Sequence, residues 1–175
     1  MRISAGGLQD WTELVTLDSN PAHKPDRLHD LEVLPWPFDD DQFDQIHGYE
    51  ILEHLGRQGD ARSFFAHFYE CWRILRPGGF LAVTCPSYKG LWAFGDPSHT
   101  RVINSGSLVF LDQEQYQVQV GRTAMSDFRW LWKGDFKAVN VDMKSEAAGT
   151  GFAFVLQAVK PARNFLDKVA EVGVA

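Results

Sequence analysis

Seven consecutive residues, Gly95-Asp96-Pro97-Ser98-His99-Thr100-Arg101, gather a carboxylate, an imidazole and a guanidinium beside Trp92 and Phe94. An imidazole or carboxylate held against a hydroxyl or amine takes its proton as a general base, which nominates His99 and Asp96 as catalytic groups. Arg101 presents a planar fork of donors suited to an anionic group, and Trp92 and Phe94 offer rings to a substrate. The same seven residues also compose an ordinary turn, with Asp96 capping and Arg101 paired to it. Other candidates follow short apolar runs. Asp18 closes Leu14-Val15-Thr16-Leu17, while Tyr49 and Glu50 follow the run from Phe43 to Gly48. Ligands of open α/β sheets bind outside the carboxyl ends of the strands, so these positions stand where chemistry is expected. His47 and His54 add imidazoles, the side chain that ordinarily titrates near neutral pH; His54 reads as a packing or helix-start residue.

The surrounding pattern predicts the elements that must hold these groups. Leu14 to Leu17 is a β-branched run broken by Ser19-Asn20-Pro21, and Phe43 to Gly48 is a second short strand. Asp60 to Leu75 reads as a helix. Asp60 serves as its N-cap, and Phe64, Phe68, Cys71, Trp72 and Leu75 fall on one face. Arg73 and Arg76 suit the negative end of the helix dipole, and Pro77-Gly78-Gly79 stops the helix. Phe80 to Cys85 follows as a buried strand, completing a βαβ unit that should be right-handed. Ser87 to Val109 is a long connection rich in Gly, Ser and aromatic residues, and loops of that length tend to carry function. Lys137 to Lys144, the turn Gly149-Thr150-Gly151 and Phe152 to Val159 read as an antiparallel hairpin. The expected architecture is an α/β domain over residues 1–160, with a mostly parallel sheet and a C-terminal antiparallel hairpin. Residues 161–175 form a tail.

Composition narrows the function classes. A chain of 175 residues, 45% hydrophobic and 13% aromatic, fits one domain with a sizeable core. Its net charge of -6 gives no electrostatic reason to bind nucleic acid or an anionic membrane. Cys71 and Cys85 form neither a disulfide framework nor a metal-ligand spacing, and no metal is expected. The N-terminal residues lack the apolar run of a signal peptide, and no stretch approaches the roughly 18 apolar residues of a membrane span. A cytoplasmic protein acting on a small-molecule substrate is expected, with nucleic acid and membrane argued against and homo-oligomerisation open.

A set of ordered motifs adds a resemblance. Asp30-Leu31-Glu32-Val33-Leu34-Pro35-Trp36-Pro37-Phe38, then Phe43-Asp44-Gln45-Ile46, Leu52-Glu53-His54-Leu55 and Arg73-Ile74-Leu75-Arg76-Pro77-Gly78-Gly79, resemble class I S-adenosylmethionine (SAM)-dependent methyltransferases. The likeness runs over residues 1–160. It implies a Rossmann-like fold, SAM as cofactor, and methyl transfer to an oxygen or nitrogen of a small-molecule or sugar-like acceptor. By the same resemblance Asp18 accepts the ribose hydroxyls, although it also reads as a turn cap before Asn20-Pro21. Asp30 accepts the adenine amino group, with the Leu31 amide turned to the ring; an ordinary strand-end Asp is the alternative. Ala5, Gly6 and Gly7 stand at the glycine-rich turn under the methionine moiety, with Ala5 where the family has a glycine. Tyr49 and Glu50 face the methionine and the transferred methyl. A short loop, about Gly7 to Glu13, leads to the second strand, so the usual first helix is not expected. The alternative reading of these departures is a degenerate methyltransferase fold serving as a binding or assembly module. Base methylation is argued against. The Asn/Asp-Pro-Pro-Tyr motif is replaced by Gly48-Tyr49-Glu50-Ile51, and Cys85-Pro86 reverses the Pro-Cys order of cytosine carbon methylation.

Overall fold

The computed structural model describes the backbone of residues 2–5 and all of residues 13–163. Seven strands form one sheet: β1 (Arg2–Ala5), β2 (Glu13–Asp18), β3 (Arg27–Leu28), β4 (Phe43–Tyr49), β5 (Leu75–Cys85), β6 (Phe136–Val141) and β7 (Phe152–Ala158). They lie in the order β3-β2-β1-β4-β5-β7-β6, which begins as the doubly wound dinucleotide fold does. The pairs β2–β3 and β4–β5 are parallel. β7 is antiparallel to both β5 and β6. β1 is antiparallel to both of its neighbours, with Arg2 opposite Thr16 and His47, and Ala5 opposite Glu13. The α/β expectation is met, but the sheet expected to be mostly parallel is mixed, with two parallel and four antiparallel pairs among the described residues. The reversal of β1 has a steric cause. Seven residues lie between Ala5 and Glu13, enough for an antiparallel return but short of the dozen or so that a parallel crossover needs.

The helix between β4 and β5, α1 (Ala61–Ile74), starts where the sequence places it. The Asp60 carboxylate accepts the Ser63 amide at 3.0 Å, filling one of the amide positions that a helix start leaves open. Phe65, Phe68, Cys71 and Ile74 are buried along one stripe. They join Leu81, Val83 and Cys85 of β5 and Phe152, Phe154 and Leu156 of β7 in one core. Each such side chain contributes about 1.5–3 kcal/mol by leaving water. The alternate residues Phe80, Ala82, Thr84, Ala153 and Val155 are half-buried on the other sheet face.

The helix stops at Ile74, within one residue of the expected Leu75, but the following strand begins earlier than the expected Phe80. Leu75 already pairs with Phe43 as the first residue of β5, and Arg76 to Gly79 form an irregular start to that strand. A Cβ on Gly79 would stand 3.0 Å from the carbonyl oxygens of Arg76 and Asp44, so the close approach of β4 and β5 requires a glycine there. The expected C-terminal hairpin is an antiparallel pair, but not a tight one. The chain leaves β6 at Val141 and forms a short helix, α2 (Met143–Ala148), capped by Asp142 and closed by Gly149 in the left-handed region. The connection from β5 to β6 carries three more short helices, Trp92–Gly95, Ser105–Leu108 and Gln113–Gln119. The start of the expected tail packs on the domain. Arg163 pairs with Asp112, Glu114 and the fully buried Asp135; residues 164–175 lie outside the described residues. No described helix is long and apolar enough to cross a membrane.

Candidate functional site

β4 and β5 run parallel and end together, so the segments that follow them emerge side by side. Between them lies a cavity of about 380 Å³, lined among others by Glu50, Glu53, His54, Ser87, Trp92, Asp96 and His99. Glu53 sits in a single 3-10 turn, Leu52–His54, just past β4. Its carbonyl accepts the amides of Thr100 (2.9 Å) and Arg101 (3.0 Å). That clasp joins the Leu-Glu-His-Leu segment to the 95–101 loop and brings His54 against His99, ring centroids 4.8 Å apart. The Glu53 side chain is 2% exposed, and neither carboxylate oxygen has a hydrogen-bond partner. Burial pushes its pKa up to about 7, helped by the negative charges of Glu50 and Asp96.

The two nominated catalytic residues both line this cavity. His99 Nδ1 donates to the Trp92 carbonyl at 2.8 Å, and its Nε2 stands 3.8 Å from Asp96. Asp96 accepts the amide and hydroxyl of Ser98 at 2.8 and 2.6 Å. Those two bonds hold its carboxyl below the usual range, so Asp96 caps its own turn as well as facing the cavity. Cys85 also borders the cavity, where burial raises its thiol and keeps it protonated.

The earlier carboxylates gather at the same sheet edge, nearer β2 and β3. Asp18 ends β2 and pairs in register with Leu28, and the His29 amide donates to the Asp18 carbonyl at 3.0 Å. Asp30, two residues past Leu28, is thereby carried to the end of the neighbouring strand. The Asn20 amide and His23 hold the Asp18 carboxyl below its ordinary value. An ionised carboxylate has about four acceptor sites, and the Asp18 side chain remains 36% exposed. Both readings of Asp18 are therefore compatible: it caps a turn and still offers acceptors for a diol. Asp30 accepts the Glu32 amide at 3.0 Å and is exposed, whereas the Leu31 side chain is buried and its carbonyl accepts the Trp36 indole.

Four nominated residues stand elsewhere. Ala5 faces Glu13 at the amino end of β2, across the sheet from Asp18, because β1 runs backwards; Gly6 and Gly7 lie outside the described residues. Arg101 is no anion clamp. It is 8% exposed, donates to the carbonyls of Leu55 (3.0 Å) and Asp60 (3.1 Å), and stacks over Phe64. Phe94 is 75% exposed and is not among the residues lining the cavity. Tyr49 points away from it, into a groove beside β6 and β7, with its hydroxyl on His47.

Residues 7–83 match the methyltransferase domain family. A protein of Mycolicibacterium smegmatis, named a probable S-adenosylmethionine-dependent methyltransferase, is 34% identical over 89 residues. The family match covers under half of the chain, so the chain is similar to SAM-dependent methyltransferases over part of its length. The alignment covers 49% of this chain and 32% of that relative, so the chain spans about a third of the relative's length. Among solved structures, a SAM-dependent methyltransferase from Archaeoglobus fulgidus superimposes with a TM-score of 0.48 at 13% identity, covering 81% of this chain and 74% of that one. A Haloferax volcanii complex between the Trm112 methyltransferase activator and a methyltransferase gives 0.43 at 15% identity, covering 75% and 60%. The likeness points to SAM as the cofactor to be tested against the site. Asp18 and Asp30, at the ends of β2 and β3, offer two carboxylates that an adenosyl group could use; the glycine pair that would serve the methionine end lies outside the described residues.

Sequence reasoning missed Glu53 as a site residue. Inside Leu-Glu-His-Leu it reads as part of a family motif, and nothing in its local spacing foretells a buried, unpartnered carboxylate.

Proposed function

We propose that this domain performs SAM-dependent methyl transfer to an oxygen or nitrogen of a small, polar acceptor seated in the cavity past β4 and β5. The observation that supports this reading is that Asp18 and Asp30 follow β2 and β3 at the same sheet edge as a cavity walled by ionisable groups. When bound, SAM supplies an electrophilic methyl on its sulfonium, so the protein's work is positioning and exclusion of water. Asp18 would accept the ribose hydroxyls and Asp30 the adenine amino group, with the Leu31 amide beside it. Glu50, at the edge between the two regions, would meet the amino-acid end. Trp92 covers the acceptor, and His99 with Asp96 forms the proton-accepting wall. A hydroxyl acceptor would give up its proton to this wall as the new bond forms.

Calorimetry with purified full-length chain tests the reading. SAM should bind, and Asp18→Asn should weaken it at least about tenfold, the loss of one charge-assisted bond. Absence of heat at millimolar SAM would remove the enzyme claim. A second reading, a methyltransferase-fold binding module, is favoured by the placement of Ala5 at the far sheet edge. A defined oligomer or partner complex that forms without SAM and ignores Asp18→Asn would support it.

A further inference from the structure

We propose that Glu53, His54 and His99 form a binding site for a zinc-type divalent cation at the wall of the cavity. One donor atom from each residue lies within 4.8 Å of the others. The three come from two segments, 45 residues apart in sequence, that the Glu53 carbonyl clasps together. Two independent features point to a ligand. The first is Glu53, buried with both oxygens unpartnered. A buried carboxylate without donors is costly, and a cation supplies the missing partner. The second is the outer shell. His99 Nδ1 is committed to the Trp92 carbonyl and His54 Nδ1 to the Ser98 carbonyl, at 2.8 and 3.2 Å. Each ring then presents Nε2 as its lone-pair donor, the arrangement by which metal-binding histidines are oriented.

The donor set selects the ion. Two imidazoles and one carboxylate suit Zn²⁺ and its neighbours, while Mg²⁺ and Ca²⁺ prefer all-oxygen shells. Tetrahedral zinc ligands lie about 3.4 Å apart, so binding draws the three side chains inward by small rotations. Three protein ligands leave a fourth position open toward the cavity, where Glu50 and Asp96 add negative charge. Loading the site makes His99 a ligand, and the Asp96 carboxylate, 3.8 Å from His99 Nε2, is left to accept a proton from a group bound there.

The test uses tag-free, chelator-treated full chain, titrated with ZnCl₂ by calorimetry and with CoCl₂ by visible absorption. The expected result is one ion per chain, an intense tetrahedral Co²⁺ spectrum, and no response to Mg²⁺ or Ca²⁺. His99→Gln and Glu53→Gln should each weaken Zn²⁺ binding about 100-fold or more, with folding checked by circular dichroism. His23→Gln, which alters the exposed His23–Asp18 pair, should leave it unchanged. Binding weaker than millimolar, or binding that survives both Glu53→Gln and His99→Gln in folded protein, overturns the proposal. If one of these variants fails to fold, His54→Gln takes its place under the same criterion. No SAM or acceptor enters the measurement, so its failure leaves the methyl-transfer reading standing, and the failure of SAM binding leaves the cation site standing.

Discussion

Arg101 offers the sharpest test of how this site is assembled, because sequence and structure give it opposite roles. As an anion clamp its loss would abolish ligand binding and spare stability. In the structure its guanidinium is buried and donates to the carbonyls of Leu55 and Asp60 while lying 5.2 Å over the Phe64 ring. Hydrogen bonds to a charged donor are worth about 1.5–3 kcal/mol each, and the ring contact adds about 1 kcal/mol. Arg101→Ala should therefore cost at least about 4 kcal/mol, and Arg101→Lys, whose single ammonium reaches one carbonyl, about 2 kcal/mol. With an m-value of about 2 kcal/mol per molar urea, the unfolding midpoint should fall by about 2 M and 1 M. The measurement is urea unfolding followed by tryptophan fluorescence, with calorimetry in parallel. An Arg101→Ala chain that unfolds within about 0.3 M of the parent, yet fails to bind ligand, refutes the structural role and restores the clamp.

Other outcomes follow from the same contacts. Arg163→Ala strips the guanidinium from Asp135, which has no exposed surface, and should cost about 3–5 kcal/mol in urea unfolding, since a buried charge is left with amide donors alone; a loss under about 1 kcal/mol contradicts it. Asp18 has a depressed folded pKa, so its contribution is present above the unfolded value of 3.8 and disappears as pH falls through the folded one. Asp18→Asn should accordingly flatten the acid limb of the stability profile below about pH 4, and parallel limbs would count against the cap. Cys71 and Cys85 are buried thiols with raised pKa values, so the native chain should resist an aromatic disulfide reagent that labels both once urea unfolds it; prompt native labelling would contradict their placement.

The regular part of the fold was legible because its signals are local. Asp60 before the apolar stripe of α1, the β-branched run ending at Asp18, and the alternation along β7 all follow from neighbours in sequence. What escaped depended on distance. The direction of β1 is decided by the length of the connection to β2 together with pairing to β4, which no window of sequence contains. The α2 helix between β6 and β7 was hidden behind Gly149, whose left-handed cap reads equally well as a hairpin turn. Of the nominated residues, His99, Asp96 and Trp92 line the cavity, and they were nominated because turn residues mark an accessible loop. Arg101 was misread because a guanidinium in such a loop looks free, whereas here the loop folds it inward onto carbonyls that the Leu-Glu-His-Leu segment leaves open.

That inward fold links stability to chemistry. The 3-10 turn at Leu52–His54 ends in extended backbone at Leu55, so the carbonyls of Glu53 and Leu55 have no helix to continue into. The amides of Thr100 and Arg101 satisfy the first and the Arg101 side chain the second. The residues that meet these backbone demands are the ones next to His99, and their bonding fixes His99 against His54 and over the Glu53 carboxylate. A substitution that loosens Arg101 should thus disperse the three ionisable groups before it unfolds the sheet, because β4, β5 and β7 are held by their own ladders. The site is then less stable than the scaffold it stands on, as expected of a loop whose position rests on a few hydrogen bonds rather than on buried area.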